Sequence, residues 1–238
     1  MRQNLIHWFR LIFSYPAKSF SFQDDEYDAY WKARGRSKQS LSAWQKQRAD
    51  IALSLMREGE VHIVDIGSGD GGILSYIKEK KEQVTGTGID ASDMALAILE
   101  DAGFVGSKQD FSSIDDLSIP ENDYTFLFEI IEHVKDSEKL VLKALDSSRE
   151  GVFISIPNSG FFPYRLRLLF GKFPAQWISV PNEHLRFWTL RDVKWWLKAL
   201  KLLDGAVIRT YEGVPILRNV LPGLFAAGIV IYIPHEKN

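Results

Sequence analysis

The sequence predicts a doubly wound α/β fold: one mostly parallel sheet of seven strands, helices on both faces and an antiparallel edge strand. Three observations predict it. The apolar run Val61 to Ile66 breaks at once into the turn Gly67-Ser68-Gly69-Asp70-Gly71-Gly72. Short apolar runs then alternate with helical patterns, the βαβ order that gives parallel strands with right-handed crossovers. A chain of 238 residues, 45% hydrophobic and 25% charged, is also large enough to bury the core of one such domain.

The elements follow in order. Residues 1–50 read as a helical and lid-like extension, and 51–238 as the main domain, with an insertion at about 158–190. Ser42 with Gln45 forms a capping box for a helix through Met56, stopped by Gly59. Strand one is Val61 to Ile66, followed by a helix from Ile73 to Lys80. Strand two is Val84 to Ile89. Ser92 caps a helix from Asp93 to Asp101 that Gly103 ends. Weaker apolar marking places strand three at Val105 to Gln109. Strand four is Tyr124 to Phe128, and strand five, Gly151 to Ile156, is closed by Pro157. Between them a helix covers Ser137 to Leu145 with Asp136 as its cap. Thr189 with Asp192 caps a helix whose Val193, Trp196, Leu197 and Leu200 share a face, and Ala206 to Tyr211 and Ala226 to Ile233 read as an antiparallel pair.

Composition removes several classes of function. The formal net charge of -2 argues against nucleic acid as a partner, because phosphate-binding surfaces carry a basic surplus. The absence of cysteine excludes disulfides, thiolate chemistry and cysteine zinc sites, and five scattered histidines lend little support to a metal site. Near the start, Leu5, Ile6, Trp8, Phe9, Leu11, Ile12, Phe13 and Tyr15 form an apolar segment interrupted by His7 and Arg10. It is too short to cross about 30 Å of hydrocarbon. Residues 1–20 are suited either to docking on the protein's own core or a second subunit, or to lying on a membrane surface, and a cytoplasmic location is the default.

The glycine turn announces a nucleotide-type ligand, since it sits at the carboxyl end of a strand and leads into a helix N-terminus. Two templates fit. Gly67, Gly69 and Gly72 satisfy the dinucleotide pattern, with Asp90 about 20 residues on. Gly67, Gly69 and Gly71 behind Asp65 equally satisfy D-x-G-x-G-x-G, the loop of S-adenosylmethionine-dependent methyltransferases. The acids discriminate: Asp65 and Asp70 would oppose a doubly negative pyrophosphate, whereas they attract a sulfonium and an ammonium.

Together with this loop, Gly88-Ile89-Asp90-Ala91-Ser92, Gln109-Asp110-Phe111 and Phe128-Glu129-Ile130-Ile131-Glu132-His133-Val134 resemble the class I S-adenosylmethionine-dependent methyltransferases, a Rossmann-like fold. Ile156-Pro157-Asn158, Arg165 to Gly171, Pro181 to Thr189 and Leu224 to Ala227 resemble the MetW-like group within it. The Glu129 to Val134 segment is instead similar to ubiquinone-type small-molecule O-methyltransferases. The resemblance covers roughly Ile51 to Ile233. It implies S-adenosyl-L-methionine as cofactor, held by Asp65, Gly67, Ser68, Gly69, Gly71, Asp90, Ala91, Asp110, Phe111, Glu129 and Ile130.

Asp90 is placed to accept both ribose hydroxyls, because a carboxylate only accepts and can take two donors at once. Asp110 would receive the adenine amino group with Phe111 against the ring, or else is an ordinary turn aspartate. Removing a proton from a hydroxyl or ammonium acceptor calls for a base, and His133 and His184 are the candidates, with Glu132 beside the first. Glu132 and Glu183 could orient these rings only if the backbone turns there. Aromatic residues interleaved with arginines in the insertion suit an acceptor with an apolar body and an anionic group, or equally a helix packed on the core with solvated arginines. Tyr30, Asn158, Arg165 and Glu183 are the expected acceptor contacts, and Tyr27 to Arg36 the expected lid. The activity expected is methyl transfer, at oxygen, to a small-molecule or lipid-linked carbohydrate acceptor. The alternative is a MetW-like regulatory or complex-forming protein that keeps the fold without catalysis.

Overall fold

The computed structural model describes residues 12–13, 41–111, 113–174 and 184–235. Seven strands, β1 (Val61–Ile66), β2 (Val84–Asp90), β3 (Val105–Lys108), β4 (Asn122–Phe128), β5 (Ser148–Pro157), β6 (Val207–Tyr211) and β7 (Gly228–Pro234), form one sheet in the order β3-β2-β1-β4-β5-β7-β6. The first five strands pair in parallel, with Val61 opposite Val84 and Tyr124 opposite Gly151. The antiparallel pair is present, and β7 lies inside the sheet, between β5 and the edge strand β6. Chain order reverses between β1 and β4, the position at which the carboxyl ends of an open parallel sheet leave a crevice.

Eight helices among the described residues are α1 (Ala43–Leu55), α2 (Gly72–Lys80), α3 (Asp93–Asp101), α4 (Ser137–Ser147), α5 (Phe162–Leu169), α6 (Leu190–Ala199), α7 (Leu217–Val220) and α8 (Pro222–Phe225). Alternation along each strand divides the core into two layers. Ile63, Tyr124, Phe126 and Phe153 pack against Ala49 and Ala52 of α1, Leu74 and Ile77 of α2 and Leu99 of α3. Val64, Ile66, Leu127, Ile154 and Ile231 pack against Leu140, Val141 and Ala144 of α4 and Val193, Trp196 and Leu197 of α6.

Most boundaries agree with local signals. Both capping boxes are formed, Ser42 with Gln45 and Thr189 with Asp192, and Ser92 accepts from the Ala95 N–H. Asp136 departs from expectation: it holds the N-cap position of α4 without a side-chain hydrogen bond, at φ -103° and ψ 55°. β5 begins at Ser148 rather than Gly151, because Ser148 pairs with Asn122 across an irregularity in the register. The expected boundary at residue 50 falls inside α1, whose buried Ala49 and Ala52 belong to one layer of the core. α7 and α8 carry no helical period and were not expected from the sequence. The expected lid, Tyr27 to Arg36, lies outside the described residues. No helix among the described residues is long and apolar enough to cross a membrane. Of the N-terminal apolar segment, Phe13 meets Phe170 with ring centroids 5.3 Å apart, and the Ile12 carbonyl lies 3.4 Å from the Arg167 guanidinium, so this part touches the chain's own α5 region.

Candidate active site

The loop after β1 is built by backbone angles that side chains resist: Gly67, Gly69 and Gly71 have φ of 73°, 52° and 71°. Their N–H groups fold back onto the protein. Gly67 and Ser68 donate to the Ile89 carbonyl at 2.8 and 3.2 Å, and Gly71 donates to Ser68. The Asp90 carboxylate, fully buried at the end of β2, accepts from Gly69 at 2.8 Å and from Ser92 at 3.0 Å. Asp90 therefore holds the loop to β2 with two charge-assisted bonds. Asp70 accepts from the Gly72 N–H at 3.1 Å and tightens the entry to α2.

Two glycines serve close packing within the protein. A β-carbon on Gly67 would stand 2.3 Å from Cδ1 of Ile130, and one on Gly88 would stand 2.1 Å from Cδ1 of Leu99 and 2.5 Å from Oγ of Ser68. The first contact sets the turn after β4 directly against the loop. Ser68 Oγ is buried without a hydrogen-bond partner among the described residues.

Asp65 lies on β1 beneath this loop. Burial, opposed by the Arg48 charge and reinforced by that of Asp90, pushes its carboxyl up to about 7. Arg48 reaches in from α1, 3.2 Å from Glu129, and its guanidinium sits 5.6 Å from the centre of the Phe128 ring. Ser155 and Tyr211 hydroxyls donate to Glu129 Oε1 at 2.9 and 3.3 Å. Burial and this carboxylate raise the Tyr211 phenol above its ordinary value. Glu129 itself adopts φ 55°, a strained conformation at the carboxyl end of a central strand. The residue expected to touch cofactor is thus already engaged by Arg48, Ser155 and Tyr211. None of these three was legible from the sequence, for each comes from an element distant in sequence.

The histidine candidates meet. Ile130 accepts from the His133 N–H at 3.0 Å, and Ser137 Oγ donates to the carbonyls of Ile131 and Val134, which fixes a tight turn after β4. Backbone N–H groups of Leu185 and Arg186 donate to the Glu132 carbonyl at 2.8 and 3.2 Å and bring the second segment alongside. The His133 and His184 rings lie edge to face with centroids 4.6 Å apart. Ligand atoms of Glu132, His133 and His184 all fall within 4.8 Å of one another, and Glu132 is buried. Burial and the neighbouring His133 hold His184 down at about 4. So low a value makes His184 a neutral acceptor near pH 7 and a weak base.

Other expected contacts are placed differently. Asn158 is fully buried, donating to the carbonyls of Ala226 at 2.7 Å and Gly223 at 3.4 Å and accepting from Gly160 at 3.0 Å. Both ends of the amide are engaged in tying β5 to the C-terminal helices. Arg165 donates to the Gly160 carbonyl and lines a cavity of about 440 Å³ with Thr189, Leu190, Arg191, Lys194 and Gly223. The histidine pair is not among its walls. α5 is a helix packed on the domain, yet its Arg167 is buried rather than solvated and donates to the Phe173 carbonyl at 2.7 Å. Ala91 and Asp110 are exposed at the carboxyl ends of β2 and β3, and Phe111 is half-buried against the core. Tyr30 and Glu183 lie outside the described residues.

Residues 13–202 match the family described as methyltransferase domain. Solved structures with the same fold include a SAM-dependent methyltransferase from Archaeoglobus fulgidus, 17% identical, covering 86% of this chain and 99% of that one with a TM-score of 0.60. The plantazolicin methyltransferase BamL, in complex with a triazolic desmethylPZN analog and SAH, is 15% identical over 99% of this chain and 96% of that one, with a TM-score of 0.57. The magnesium protoporphyrin IX methyltransferase of Synechocystis, with bound SAH, is 11% identical over 98% and 100%, with a TM-score of 0.58. No curated protein is matched.

Proposed function

The chain belongs to the methyltransferase domain family, and from that premise we propose that it binds S-adenosyl-L-methionine between the Gly67 to Gly71 loop and Asp90. The methyl would pass to an oxygen of a small-molecule or lipid-linked carbohydrate acceptor. The observation that carries this reading is the paired acids. Asp65 and Asp90 stand on neighbouring strands at the loop, and this pair attracts a cationic ligand where it would repel a pyrophosphate. The buried Ser68 hydroxyl and the Asp90 carboxylate at the end of β2 are the polar groups beside the loop that a nucleoside and an amino-acid moiety need.

When bound, the cofactor supplies a methyl on a positively charged sulfur. What the chain contributes is position. The loop hung on Asp90 holds the donor, the strained Glu129 turn carries His133 toward the same crevice, and in-line placement supplies the greater part of the acceleration. His133 is the residue we assign to accept a proton from a hydroxyl acceptor, since burial and its neighbour make His184 a weak base. The SAH held by two proteins of like fold supports the choice of cofactor. Exposed Phe162, Phe170 and Phe173 in the insertion that carries Arg165 support an acceptor with an apolar body and an anionic group.

The test is calorimetric titration with S-adenosylhomocysteine and with NAD, then incubation with methyl-labelled S-adenosylmethionine and fractionated cell extract. Binding of the first ligand alone, with label passing to an extract component, is expected. Binding of NAD alone would reject the reading. Cofactor binding with no transfer to any fraction would favour a MetW-like protein that keeps the fold without catalysis.

A further inference from the structure

We propose that Glu132, His133 and His184 form a binding site for one divalent first-row transition-metal ion at the edge of the cofactor crevice, with open positions for an oxygen of the acceptor. The geometry supplies the reason. Three potential ligands from two segments far apart in sequence converge so that their donor atoms lie within 4.8 Å of one another. An ion bound at about 2.0 to 2.2 Å from each requires donors roughly 3 to 4 Å apart, so the cluster needs only a small contraction. Two imidazoles and one carboxylate are a mixed nitrogen and oxygen set, which suits Mn, Fe, Co or Zn rather than the all-oxygen shell preferred by Mg or Ca.

The supports are hydrogen bonds to backbone carbonyls. Ser137 clamps the turn that bears Glu132 and His133, and the Glu132 carbonyl takes the N–H groups of Leu185 and Arg186, so His184 is held to the same turn by bonds that no side-chain motion loosens. Glu132 is buried beneath, while the two rings are only partly buried, which leaves their side of the cluster accessible. The approach of Ile130 to Gly67 sets this turn against the loop proposed to hold the methyl donor. Binding of the ion stands without any assumption about activity. Its use in holding an acceptor oxygen rests on the methyl-transfer reading, and with the ion bound His133 serves as ligand rather than base, the ion then lowering the pKa of the acceptor hydroxyl in its place.

Metal-stripped full-length protein is titrated with Co²⁺, followed by its visible absorption, and with Mn²⁺ and Zn²⁺ by calorimetry, with Mg²⁺ and Ca²⁺ as oxygen-preferring comparisons. One ion per chain is expected. Glu132→Gln, His133→Gln and His184→Gln should each weaken binding by about a hundredfold or more, while His62→Gln and His235→Gln leave it unchanged. Circular dichroism of each variant separates loss of ligand from loss of fold. Any variant that unfolds is replaced by competition of the wild-type protein with a chelator of known affinity. Absence of saturable binding, or binding unaltered in folded His133→Gln and His184→Gln variants, overturns the site. If S-adenosylhomocysteine binds and no ion does, the site fails alone. If an ion binds and S-adenosylhomocysteine does not, the methyl-transfer reading fails and the metal site stands.

Discussion

Replacing Gly67 by alanine tests how the loop and the turn after β4 depend on each other. At φ 73° an added β-carbon costs about 1–2 kcal/mol in the left-handed region. It would also lie 2.3 Å from Cδ1 and 2.4 Å from Cγ1 of Ile130, so that side chain must move, and overpacking of this kind costs about 1–3 kcal/mol. Gly67→Ala should therefore lose roughly 2–5 kcal/mol of stability in total. At about 2–4 °C per kcal/mol for a domain of this size, the melting temperature should fall by about 4–20 °C. Urea unfolding gives the loss directly, provided the slope with denaturant is unchanged. A double-mutant cycle then divides the two parts. Ile130→Ala removes the obstructing atoms, so in that background Gly67→Ala should cost only the backbone part, about 1–2 kcal/mol. Equal cost in both backgrounds would show that the loop and turn do not press on each other, and a Gly67→Ala protein as stable as the parent would refute the conformational reasoning altogether.

Three further outcomes follow from the same geometry. Asp90→Asn places an amide N–H₂ against one of two N–H donors and removes the charge from both bonds, so stability should fall by about 1.5–3 kcal/mol. Affinity for S-adenosylhomocysteine should drop at least tenfold in calorimetry; unchanged affinity would remove Asp90 from the cofactor site. For Asp65, a folded value of about 7 against an unfolded value of 3.8 means that the folded state binds more protons in that interval. Its contribution is then complete below about pH 4 and is lost as pH rises toward 7, by up to about 4 kcal/mol at 1.36 kcal/mol per pH unit. The difference in stability between wild type and Asp65→Asn, measured by denaturation across that range, should shrink accordingly, and a pH-independent difference would contradict the assignment. Asn158→Ala strands two carbonyls and one N–H in a buried place and should cost about 2–4 kcal/mol by urea unfolding, with KM for the acceptor unchanged once one is found. A raised KM without loss of stability would support the role expected from sequence.

Local chemistry determined much of this protein by itself. The glycine turn, the acids at 65 and 90, the capping residues Ser42, Ser92 and Thr189, and the strand runs from Val61 to Ile156 are legible because each depends on neighbours a few residues away: backbone angles, first-turn N–H groups and alternation along one strand. Asp136 marks the limit of that reading, since a capping residue type does not ensure a capping bond. Only the tertiary structure decided what depends on contacts between distant segments. Asn158 could not be recognised as structural until Ala226 and Gly223 were brought to its amide. Arg48 and Tyr211 share Glu129 because α1 and β6 converge on the end of β4, and no periodicity records that. His133 and His184 are lone histidines in the sequence, and a lone histidine carries little information. They become a cluster because two backbone N–H groups hold the second segment against the Glu132 carbonyl, and hydrogen bonds of that kind place the chain without regard to which side chains it bears.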